Sequence, residues 1–139
     1  MASRKKRSAR AIRASIEDFG AEKERRLFFR IYQALTSATP VDTGFARAGW
    51  RMSAGSPKYG PPKRPTDRGE AETVAESMSA NNDREAASIR ESYRVKDGAL
   101  YVSTAVFYMV FLNRGSSAQA PPAFIERAIA QAIQATRSE

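Results

Sequence analysis

"IRESYRVKDGALYVST", residues 89–104, decides how much sheet this chain can form. Ile89, Tyr93 and Val95 stand among Arg90, Ser92, Arg94 and Lys96. An apolar/polar alternation of period two is the pattern of a half-buried strand. Asp97-Gly98 reads as a two-residue hairpin turn, because both positions tolerate positive φ. Leu100, Val102, Thr104 and Val106 then line one side of a return strand, with Tyr101, Ser103 and Ala105 on the other. The expectation is a β-hairpin. Beyond Ala105 the alternation stops, and residues 107–112 are apolar all round. That run fits either a buried short helix or the end of a central strand.

Upstream, "TPVDTGFARAGWRM" (39–52) extends the sheet in the same terms. Pro40 and Asp42, Thr43 and Gly44 read as a turn, Asp42 bonding its own backbone rather than acting as an acid. From Phe45, Ala46, Ala48, Trp50 and Met52 alternate with Arg47, Gly49 and Arg51, which predicts a strand.

Helices flank these strands. Ile12, Ile16 and Phe19, then Leu27, Phe28, Ile31, Tyr32 and Leu35, form a stripe of period near 3.6. Gly20 marks a weak point where the helix could kink or break. The helix should end before Pro40, since the residue preceding proline avoids helical angles. At the other end, Pro121 and Pro122 precede Phe124, Ile125, Ala128, Ile129 and Ile133, a helical stripe running to about residue 136. Between strands, residues 53–69 carry four prolines with Gly55, Gly60 and Gly69, and read as a long loop. A short helix from Glu70 to about Met78 follows, interrupted by Asn81-Asn82-Asp83. The sum is an α+β domain. A small antiparallel sheet of three to four strands carries the long N-terminal helix and the C-terminal helix on one face. Residues 1–13 form an extended basic arm, and residues 14–139 the single domain.

Charge singles out two segments. The chain has 139 residues and a net charge of +8. Arg4, Lys5, Lys6, Arg7, Arg10 and Arg13 supply six positive charges with no acid before residue 14, so the rest of the chain is nearly neutral. Lys58, Lys63, Arg64 and Arg68 make the 53–69 loop cationic as well. Such segments are attracted to phosphates or to acidic protein surfaces. With Tyr59 nearby, a stacked base is one reading of the loop, and a surface loop ordered by a partner is the other. Any nucleic-acid contact would be independent of sequence, as no helix-turn-helix, zinc module or aromatic RNA-binding motif is present.

Catalytic chemistry has little to work with. Cysteine and histidine are both absent, which removes disulfides, thiol nucleophiles, the usual zinc sites and any Ser-His-Asp triad. "NRGSS" (113–117) lacks the spacing and lysine of a phosphate-binding loop. Asp42, Glu91, Asp97 and Glu126 are scattered among turn, strand and helix-start roles, so a carboxylate metal site is not expected. No enzyme, cofactor or metal is expected. No apolar run reaches the ~20 residues of a membrane span, and production in the cytoplasm is the expectation.

Two stretches resemble a known family. "TPVDTGFARAGW" looks like the proline–x–aspartate–threonine–glycine motif, followed by an arginine-bearing strand, of tailed-bacteriophage neck and tail-completion proteins. "FYMVFLNRGSSAQAPPAFIERAI" (107–129) is similar to that family's C-terminal signature: an aromatic segment, a glycine loop, a proline-marked helix start and a short terminal helix. Asn113 departs from the pattern, in that many relatives carry an acidic residue two before the loop glycine. The resemblance implies a non-enzymatic virion protein that joins head to tail as a homo-oligomeric ring, with six-fold the expected symmetry. Its partners would be portal or adaptor and tail-tube or tail-terminator proteins, around the DNA channel. It also implies structural roles for Pro40, Asp42, Thr43, Gly44, Trp50, Gly115, Pro121 and Pro122. The alternative is a sequence-independent DNA-binding protein, in which the cations of the arm and the loop meet phosphates directly.

Overall fold

The computed structural model describes residues 2–41, 44–58, 65–106, 108–116 and 122–139, with side chains except at 2–8, 10–16, 18 and 116. The elements in chain order are α1 (Ala2–Ala38), α2 (Phe45–Ala48), β1 (Trp50–Ala54), α3 (Arg68–Ser92), a 3-10 turn (Val95–Asp97), β2 (Leu100–Thr104), α4 (Met109–Phe111), a π-type turn (Leu112–Ser116) and α5 (Phe124–Arg137). The α+β class holds. Among the described residues, however, the sheet has two strands rather than three or four.

α1 runs unbroken through Gly20. One glycine costs roughly 1 kcal/mol in a helix interior, and the next turn is stapled by Glu22, which accepts from both Arg25 and Arg26. The basic stretch expected as an extended arm is, from Ala2, the first part of this same helix.

The strand expected from Phe45 begins only at Trp50. Gly44, at φ 87°, turns the chain into α2, whose Ala48 N–H bonds the Gly44 carbonyl at 2.9 Å. Phe45, Ala46 and Ala48 are all buried, so this run is apolar on more than one side and a helical turn serves it better than a strand.

α3 is the largest correction. It spans 25 residues and passes straight through Asn81-Asn82-Asp83. Asp67 caps it, accepting from the Glu70 N–H at 2.7 Å, while the Glu70 carboxylate accepts from the Thr66 N–H at 3.0 Å. This is the reciprocal arrangement of a capping box, shifted by one residue. Its buried face is made of small residues, Ala71, Ala75, Asn82 and Ala86. That composition lets the helix approach α2 and β1 closely.

The hairpin expected over 89–104 does not form. Residues 89–92 end α3, and the Tyr93 N–H still donates to Ile89 O at 3.0 Å. Asp97-Gly98 is a turn, with Gly98 at φ 95°, but it feeds β2 from a helix rather than from a strand. β2 pairs antiparallel with β1 in the register Trp50↔Thr104, Met52↔Val102 and Ala54↔Leu100. At the end of this ladder Gly55 N–H bonds Ala99 O at 2.8 Å. A Cβ added to Gly98 would sit 3.0 Å from Gly55 Cα, so the two segments approach closely where position 98 has no side chain.

Of the two readings for the apolar run, the short helix holds over Met109–Phe111. α5 begins at Phe124 as expected and buries Phe124, Ala128 and Ala132. It packs mainly along α1, and α1 in turn lies across both strands. The core gathers Tyr32 and Leu35 from α1, Trp50 and Met52 from β1, Ala75 and Ala86 from α3, Leu100, Val106, Met109 and Phe124.

Candidate functional site

The two motif stretches fold as joints. The first closes the end of α1. Thr39 is fully buried and its hydroxyl donates to Leu35 O at 2.6 Å. The same oxygen accepts from the Trp50 indole N–H at 2.8 Å. Arg47, on α2 rather than on a strand, donates to Ser37 O at 3.0 Å and Thr39 O at 3.2 Å. A guanidinium there satisfies carbonyls that a helix end leaves without partners and complements the negative end of the dipole. Pro40 and Gly44 lie in the linker between the helices, while Asp42 and Thr43 are outside the described residues.

Behind Trp50, Gly49 allows a close approach. A Cβ at that position would stand 2.3 Å from Val106 Cγ2, so any side chain would have to displace Val106. Asn82 reaches in from α3 and donates to Ala48 O at 2.7 Å. α2 is thereby held by α1 on one side and by α3 on the other.

The second joint starts α5. The helix has Ala123 as its N-cap, at φ 62°, with no side-chain bond of its own. Asn113 supplies the cap from upstream. Its backbone carbonyl accepts from the Ala123 N–H at 2.6 Å and its side-chain oxygen from the Ile125 N–H at 2.9 Å. Its amide donates to Glu126 at 3.0 Å. Asn113 is therefore the residue that holds the start of α5. Gly115 lies at φ 99°, and an added Cβ would meet Pro122 Cγ at 2.8 Å. Pro122 precedes the cap, and Pro121 lies outside the described residues. Just before the joint, Val110 and Phe111 are 55% and 57% exposed, although the run they belong to is the most apolar in the chain.

The expected cationic contacts separate into three groups. Arg4, Lys5, Lys6, Arg7, Arg10 and Arg13 lie on α1 with side chains outside the described residues. Lys63 and Arg64 also lie outside them. Lys58 and Arg68 are engaged within the chain. The Lys58 ammonium donates to Glu85 at 2.6 Å, and Arg68 Nε stands 3.5 Å from Glu72 one turn along α3. Glu85 also takes Arg51 at 3.1 Å. Burial raises the Glu85 pKa, but Lys58 and Arg51 outweigh it and the carboxyl lies below its ordinary value. A shallow groove opens beside this bridge, lined by Ala54, Lys58, Arg84, Glu85 and Ile89.

A second charged cluster spans α1, α3 and the end of α5. Glu22 is held down to about 2 by the hydrogen bond from Arg25, then by Arg26 and Arg90. Arg25 also donates to Tyr93 O at 2.8 Å, and Arg26 to Glu139 at 2.9 Å, with Arg30 on the same carboxylate. Two phenols titrate higher than usual. Tyr32 is raised by burial and by its 2.6 Å bond to Asp83, and Tyr93 by burial and by Glu24. The shifts hold Glu22 and Glu85 as ionised acceptors and keep Tyr32 and Tyr93 as protonated, neutral phenols. No three acidic side chains gather into a metal-holding group among the described residues.

Sequence reasoning missed Arg47 as a cap, Asn82 and the Glu85 bridge. Asp67 followed three residues later by Glu70 was the one legible signal, since it marks a helix start. Comparison with protein-family models, with curated proteins and with solved structures finds no match, so the functional reading rests on the chain's own residues.

Proposed function

We propose that this chain is a structural subunit of the head–tail junction of a tailed bacteriophage. In this reading it is a neck or tail-completion protein, located in the virion, that closes into a ring between portal or adaptor and tail tube. It carries no catalytic step and no cofactor.

The observation that carries the reading is the use of the two motif stretches. Both serve to fix helix ends, and the second presents Val110 and Phe111 to solvent beside the loop at Gly115. Fully burying a side chain of this kind contributes roughly 1.5–3 kcal/mol. A head-to-tail neighbour that covers the pair would use that energy once per subunit, as a closed ring requires. The charge states support a scaffold too, because Glu22 and Glu85 are held ionised by arginine and lysine partners within the fold.

The test is made on particles of the phage that encodes the chain. Mass spectrometry of purified virions should find it, and a cryo-electron-microscopy map should place a ring of it, six copies expected, at the head–tail junction. Its absence from purified virions, or its location elsewhere in the particle, would overturn the reading.

A further inference from the structure

We infer that the first part of α1 is a duplex-DNA-binding helix, which engages the phosphates flanking a groove without reading base sequence. The inference does not rest on the ring reading.

Its first support is the continuity of the helix. Residues 2–38 form one element, and its second half is locked into the core through Ala21, Tyr32 and Leu35. Among the α1 side chains described, none before Ala21 is buried; Ala9, Glu17, Phe19 and Gly20 are all exposed. At 1.5 Å per residue, the stretch before Ala21 extends the helix by about 28 Å. The cations thus lie on the same helix whose second half is rooted in the core.

Their distribution is the second support. Positions 4, 5, 6 and 7 are all basic and span one full helical turn, with 3.6 residues per turn. Arg10 and Arg13 continue the charge along the axis, and the first acid in the chain is Glu17. Four consecutive basic positions on one turn suit a site with anions on both sides. A helix is about 10–12 Å across, and the major groove of duplex DNA, about 12 Å wide between two phosphate rows, admits one.

Composition argues against the other polyanionic surfaces. Stacking on single strands needs aromatic side chains, and the first aromatic is Phe19, whose ring already has Lys23 Nζ 4.8 Å from its centroid. A lipid surface needs an apolar face, and Ile12 is the sole aliphatic residue larger than alanine in positions 2–13. Asparagine and glutamine, which read adenine, are absent from the same stretch. The two described loop cations, Lys58 and Arg68, are paired with Glu85 and Glu72 and add little.

The experiment uses the full chain and a mixed-sequence 20-base-pair duplex, with binding followed by fluorescence anisotropy between 50 and 200 mM salt. Neutralising six phosphates gives a log–log slope near −5, or about 10³-fold weaker binding over that range. A variant with Arg4, Lys5, Lys6, Arg7, Arg10 and Arg13 all changed to Gln, a residue of similar helix propensity, should melt at the wild-type temperature. It should also lose the slope and at least 100-fold in affinity. Lys58→Gln with Arg68→Gln should bind like wild type. Wild-type affinity in the six-fold variant would overturn the inference. So would tighter binding of wild type to poly-glutamate, to anionic vesicles or to the single strand than to the duplex.

Discussion

The seam between α1 and α5 and the joint around α2 are held by different forces. Toward α5 the seam is an apolar stripe of Phe124, Ala128 and Ala132, rimmed by half-exposed ion pairs from Arg26 and Arg30 to Glu139. Around α2 the joint is closed by buried polar groups with one partner geometry each: Thr39 with Trp50, and Asn82 with Ala48 O. Exposed pairs contribute roughly 0–1 kcal/mol and are screened by salt. A buried donor or acceptor left alone costs roughly 1–3 kcal/mol. The ion pairs of α1, including Glu22 with Arg26 and with Arg90 of α3, should therefore respond to pH and salt, and the joint around α2 to shape.

Three substitutions separate the buried joint from the ion pairs. The largest effect is expected from Trp50→Ala, which empties a buried site and strips Thr39 Oγ1 of its donor; roughly 3–5 kcal/mol should be lost in denaturant titration. A loss below 1 kcal/mol would mean that the indole is not a core element. Next comes Asn82→Ala, expected to cost roughly 1–3 kcal/mol because Ala48 O loses its donor inside the fold. Its cost should be the same at 50 mM and 500 mM salt, and a strong salt dependence would break the contrast. The smallest effect belongs to Glu22→Gln. The folded-state pKa of Glu22 lies below its ordinary value, so the ionised form stabilises the fold. The difference in melting temperature from wild type should be full above pH 4.5 and fade as pH falls toward about 2. It should also shrink with salt. A difference that stays constant over that window would show that Glu22 acts through packing.

How legible these features were depended on the size of the residues that carry them. The stripe of Leu27, Ile31, Tyr32 and Leu35 is made of large side chains at helical spacing, and α1 followed from it. α5 followed from Phe124, Ile125 and Ile129 after two prolines. α3 hides its packing in Ala71, Ala75 and Ala86, which carry no hydrophobic signal beside their polar neighbours. Asn82 reads as a helix breaker in isolation, yet the fold supplies an acceptor that satisfies it. Ile89 and Tyr93 are four apart, a spacing that both a strand and a helix can produce, and the helix already running from Arg68 decided between them. At the joints, the glycines and prolines announced turns. The cap made by Asn113 joins residues ten or more apart in the chain, and no local rule reaches that far.

The cap at Asn113 also ties the exposed apolar pair to α5. One residue grips the start of α5 through two N–H groups and Glu126, and it sits two positions after Phe111. The far end of α5 meets α1 through Glu139, which pairs with Arg26 and Arg30. The exposed apolar pair and the long first helix are thus joined by one chain of contacts, with Gly115 the one left-handed glycine in it among the described residues.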